Sequence, residues 1–74
     1  MMSGSIKPTR HASQRLKERG IRLEDVGAVM RQPVRGPLPG NGGTLIYEGF
    51  PIPGRLLRVI VSSDRTTLIT AMWR

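Results

Sequence analysis

The pattern of apolar and polar positions divides the chain into a helical first part and a strand-rich second part. From Arg10 to Arg19 apolar residues are sparse, but Ala12 and Leu16 stand four apart and Ile21 follows, a thin stripe of helical period. Thr9, after Pro8, has the chemistry of an N-cap and Gly20 that of a helix stop. This predicts a helix over 10–19 with Ile21 folding back on Leu16. A second helix is expected over about 23–31, where Val26, Val29 and Met30 repeat at i, i+3 and i+4. Glu24 and Asp25 occupy its first turn and Arg31 its last, as the helix dipole favours, and Pro33 stops it. Arg22, just before it, is a poor cap residue.

Beyond Pro33 the helical period is lost. Residues 33–43 hold three prolines and four glycines, which reads as loop, with hairpin-turn chemistry at Asn41-Gly42-Gly43. A period of two then sets in. Thr44 to Phe50 reads as a strand broken by Pro51 to Gly54. Arg55 to Ser63 is the clearest strand, and Thr67 to Trp73 closes the chain after a turn at Ser63-Asp64-Arg65-Thr66. In the clearest strand Leu57, Val59 and Val61 point one way and Leu56, Arg58, Ile60 and Ser62 the other. Both faces carry apolar residues, so the sheet is expected to be covered on one face and partly shielded on the other. The fold class is α+β: two N-terminal helices packed on a three- to four-stranded antiparallel sheet. The first eight residues read as a flexible lead.

Length changes this picture little: 74 residues make one domain of modest stability. The chain has no cysteine, so a disulfide or thiolate metal site is excluded, which fits a cytoplasmic protein. No apolar run approaches the roughly 20 residues that span a membrane, and the first residues lack the layout of a secretory signal. One His and five scattered acids offer no metal-ligand spacing, and no cofactor motif is present.

Charge changes the picture more. Ten Arg and two Lys against five acids leave a net charge of +7. Eight of the twelve cations and three of the acids lie in residues 1–35, a balance of +5 for that part. Basic charge gathered on one element is the footprint of phosphate binding, and a guanidinium can grip phosphate through two parallel hydrogen bonds. Lys7, Arg10, Arg15, Lys17 and Arg19, on and before the first helix, are the candidate RNA contacts. The alternatives are a solvated basic face or docking on an acidic protein. One Phe, one Tyr and one Trp are too few for a platform that stacks single-stranded bases.

The string His11-Ala12-Ser13-Gln14-Arg15-Leu16-Lys17-Glu18-Arg19-Gly20-Ile21, followed by Glu24-Asp25-Val26 and Pro33, resembles the opening of the bacterial family called domain of unknown function 4258. The pattern there is H-A-x-x-R-x-x-x-R-G-I, then an acidic second helix with Asp-Val and a proline. Tyr47-Glu48, Arg58-Val59-Ile60-Val61 and Leu68-Ile69-Thr70 resemble its later strands, so the likeness spans about residues 6–73. Arg22 departs from the family's Ser-type cap. The family is similar to the fold group of RelE-like toxins, barnase and the colicin-type and contact-dependent toxin ribonucleases. The resemblance therefore implies a toxin-like, metal-independent endoribonuclease or a related RNA-binding domain, with room for a cognate antitoxin or immunity protein as partner.

Such cleavage needs a base for the 2′-OH, an acid for the leaving oxygen and stabilisation of the phosphorane charge. His11 is the one histidine of the chain, the residue type most often used as a general acid or base. Arg15 and Arg19, one and two turns on, suit a phosphate. Arg58 stands in an otherwise apolar strand and Thr70 could offer a hydroxyl. The catalytic candidates are thus His11, Arg15, Arg58 and Thr70, joined by Arg19 around one phosphate. The acid or base partner of His11 is left to Glu48, Tyr47, a polarised water or the RNA. Each candidate also has a structural reading: His11 as a surface residue, Arg15 and Arg19 paired with acids, Arg58 bonded to Glu48, and Thr70 as an ordinary strand residue. The enzyme reading requires all five to share one cleft. The competing reading is a non-catalytic module that docks RNA or a protein on the same helix.

Overall fold

The computed structural model describes residues 6–74, and the elements run β1 (Lys7–Pro8), α1 (Arg10–Arg19), α2 (Leu23–Arg31), β2 (Arg35–Pro39), β3 (Leu45–Ile52), β4 (Arg55–Val61) and β5 (Thr67–Trp73). The fold class is α+β. The sheet differs from expectation, with five strands in the order β1-β5-β4-β3-β2. It is mixed: β1 runs parallel to β5 and every other pair is antiparallel.

Both additional strands escaped the sequence pattern for physical reasons. β1 is only two residues long, too short to show a period. The amides of Lys7 and Thr9 donate to the carbonyls of Thr66 and Leu68 at 3.0 and 3.1 Å. Pro8 lies between them, where an amide would face away from β5, so the missing donor costs nothing. The ordered fold therefore begins before residue 9, and residues 1–5 of the lead expected to be flexible lie outside the described residues. β2 lies within the segment read as loop. Its Pro37 and Pro39 are tolerated because it is an edge strand, paired only with β3. A 3-10 turn at Asn41–Gly43 joins the two, so the Asn-Gly-Gly chemistry does make a hairpin connection. The break expected at Pro51 comes later, because β3 runs on to Ile52 through a bulge.

Both helices form as their caps dictate. Thr9 Oγ1 accepts the Ala12 amide at 3.0 Å, and Gly20, with φ +64°, ends α1. The Ile21 amide then returns to the Leu16 carbonyl at 2.9 Å and sets Ile21 in the core beside Leu16. At the start of α2 Arg22 supplies no acceptor, but the Asp25 carboxylate accepts the Arg22 amide at 3.0 Å, half of a capping box. Val26 and Val29 are buried as expected and Met30 packs at the core's edge.

α1 lies over β5 and β1, and α2 over β3 and β4. Both cover the same face, where Tyr47, Leu57, Val59, Val61, Leu68 and Ala71 meet Ala12, Leu16, Ile21, Val26 and Val29. Among the described residues no helix covers the other face.

Candidate nucleic-acid interface

On α1 Ala12 and Leu16 point into the core, so the 3.6-residue period carries Arg10, Gln14 and Lys17 to the opposite, outward side. His11, Arg15 and Glu18 form a flanking row, and Lys7 is exposed on β1 just before the helix. Arg10 and Lys17 are seven residues apart, about 10 Å along the axis at 1.5 Å per residue. Within 4 Å of Lys7, Arg10, His11 or Lys17 there is no carboxylate among the described residues.

Two further cations of the set are engaged. Arg15 bonds Glu18 at 2.9 Å, and with Gln14 it holds the Glu18 carboxyl below its ordinary range. That pair is solvent-exposed and holds little free energy, on the order of 0–1 kcal/mol, so a phosphate can take the place of Glu18. Arg19 is held more firmly. β1 covers only the first part of β5, and the bare edge beyond it leaves the Ala71 carbonyl to accept Arg19 Nη1 at 2.8 Å. Trp73 Nε1 in turn donates to the Arg19 carbonyl at 2.8 Å. The two bonds fasten the end of α1 to β5, and Arg55 lies 4.0 Å over the Trp73 ring. Neither Arg15 nor Arg19 pairs with an acid of α2.

Electrostatics single out the start of α1. Its first turn holds no acid and instead carries Arg10 and His11 at the positive end of the helix dipole. A cation there costs the helix about 0.3–1 kcal/mol relative to an acid. Fold stability does not explain it, whereas an anionic ligand would.

Arg58 and Thr70 lie elsewhere. Strand register pairs Val59 with Tyr47 and Ala71 on the helix-covered face. The next positions therefore point away from the helices. Arg58 stands between Glu48 and Met72, and Thr70 beside Ile60. The five-residue cleft expected around His11 does not form, because the sheet stands between His11, Arg15 and Arg19 on one side and Arg58 and Thr70 on the other. Arg58 adopts its structural alternative: its Nε donates to the buried Glu48 carboxylate at 2.9 Å. Arg35 approaches the same carboxylate at 3.9 Å. Sequence reading missed Arg35, since nothing in a Pro- and Gly-rich stretch marked it as a strand residue facing Glu48.

Among the described residues no group of three or more His, Asp or Glu side chains gathers as metal ligands would. Among the described residues no helix is long and apolar enough to cross a membrane. No family model, curated protein or solved structure matches the chain.

Proposed function

We propose that the chain is an RNA-directed binding protein that grips the phosphate backbone with the outward face of α1. One observation carries this reading: Arg10, Lys17 and Lys7 stand exposed without a carboxylate partner, and Arg10 sits where it weakens its own helix. His11 borders that face and Arg15 can join it by releasing Glu18. Contacts of this type position a nucleic acid by its backbone and do not read bases. The likeness of the His11-to-Ile21 string to a family linked with toxin ribonucleases favours RNA as the polyanion.

The geometry favours binding over cleavage. A metal-independent ribonuclease centred on His11 needs an acid, a base and a phosphate-stabilising group in one place. The side chains expected to share that work with His11, Arg58 and Thr70, face the other way across the sheet. Two assays test the proposal. Fluorescence anisotropy with a short labelled RNA should give affinity that falls steeply with salt and is weakened by Arg10→Ala and Lys17→Ala. Incubation with RNA in excess EDTA should leave it intact. Cleavage by the wild-type chain but not by His11→Ala would replace the binding reading with the catalytic one.

A further inference from the structure

The open face of the sheet has an ordered layout that RNA binding at α1 does not use. Register sets Leu38, Ile46, Ile60 and Thr70 side by side across four strands. The next row is Arg35, Glu48, Arg58 and Met72. Beyond it, the β3 bulge sets Phe50 and Pro51 opposite Leu56. A charged row thus lies between two apolar ones. Phe50 is 53% exposed and Leu38 38%, so these rows show side chains that folding alone would hide.

We infer that this face docks an acidic, amphipathic segment of a partner protein. Charge argues for the acidic partner. Among the described residues Glu48 is the only carboxylate carried by a strand, and it is already bonded to Arg58. Arg35 keeps 68% of its side chain exposed and stands 3.9 Å from that carboxylate, leaving the row with an excess positive charge to offer. A second copy of the chain fits poorly, since it would bring two molecules of net charge +7 together through facing arginine rows. Nucleic acid fits poorly as well: Phe50 is the one aromatic ring on this face, and aliphatic rows offer phosphates nothing. The β2 edge is also poorly suited to an added strand because it carries two prolines, and on the β5 edge beyond β1 the Ala71 carbonyl is already taken by Arg19. What is left is a face with apolar anchors and a cationic centre. It lies across the sheet from α1, so RNA and the partner segment can be held together.

The test uses the isotope-labelled full chain and three probes: an amphipathic peptide with a leucine stripe and glutamates elsewhere, the same peptide with lysines for the glutamates, and a short RNA. The glutamate peptide should shift the amide resonances of Ile46, Leu56, Ile60 and Met72 and leave those of Arg10 and Lys17 in place. Ile60→Lys and, separately, the exposed Arg35→Glu should weaken it by about tenfold or more. The lysine peptide should not bind. RNA should shift α1 equally in wild type and Ile60→Lys, which separates this inference from the RNA reading. The inference is overturned by no shifts with the glutamate peptide at millimolar concentration, by equal binding of the lysine peptide, or by shifts confined to α1. It is also overturned if the chain alone sediments as a dimer that Arg35→Glu or Ile60→Lys dissolves.

Discussion

Arg10 occupies the first position of α1, where a cation opposes the dipole of its own helix. If α1 grips phosphate, stability and binding are set against each other at this residue. Arg10→Glu should raise the unfolding free energy by about 0.3–1 kcal/mol, seen in urea denaturation, while RNA affinity drops. A change that lowers both would mean that Arg10 supports the fold. A second residue-scale prediction concerns the β4–β5 turn. There the Asp64 carboxylate accepts bonds from the Ser62 hydroxyl at 2.6 Å and from the Thr66 hydroxyl and amide at 2.7 and 3.0 Å. These bonds lower its pKa from the ordinary 3.8 to about 2. A carboxyl lowered by folding stabilises the protein above its unfolded value, and that contribution fades as pH falls through the folded one. Melting temperature should therefore fall between about pH 4 and pH 2, and less steeply in Asp64→Asn.

At the scale of elements, local chemistry made the helices legible. Thr9 caps α1 and Gly20 closes it because each acts on atoms within one turn of itself. The same locality gives a prediction: Gly20→Ala, at φ +64° with open space for a Cβ, should cost about 1 kcal/mol through backbone strain alone. A loss above about 3 kcal/mol would show a packing role that the open space does not suggest. The strands were legible where a period of two persisted, as in β4 and β5. β1 stayed hidden because a two-residue parallel pair depends on a partner sixty residues away. β2 stayed hidden because an edge strand tolerates the prolines that signal loop. The largest gap was the side of the sheet on which Arg58 lies. Leu57, Val59 and Val61 on one face and Leu56 and Ile60 on the other give period two without telling which face the helices cover. That ambiguity allowed a site joining His11 to Arg58 and Thr70, which the register rules out.

At the scale of the whole molecule, a single layer of helices on one face of one sheet provides the core. Leu57 and Leu68, its largest fully buried side chains, lie on β4, the central strand, and on β5 beside it. Leu57→Ala should remove about 2–5 kcal/mol, enough to unfold a large share of so small a domain at 37 °C, read by circular dichroism. The same single layer gives the molecule two sides of different character. One presents the basic face of α1. The other presents apolar rows around the Arg35, Glu48 and Arg58 cluster. The first side is basic, and the second holds the Glu48 carboxylate against Arg58.

If the outward face of α1, with Lys7 of β1 beside it, grips RNA through unpaired cations, the salt dependence of binding will show it. With about three phosphates neutralised by Lys7, Arg10 and Lys17, the logarithm of affinity for single-stranded RNA should fall against the logarithm of salt with a slope near −2. Arg10→Ala and Lys17→Ala should each make that slope shallower by about 0.7, and Arg35→Ala, on β2 at the opposite edge of the sheet from β1, should leave it unchanged. A slope near zero, or one that the α1 variants do not alter, would mean that α1 does not hold RNA by its cations.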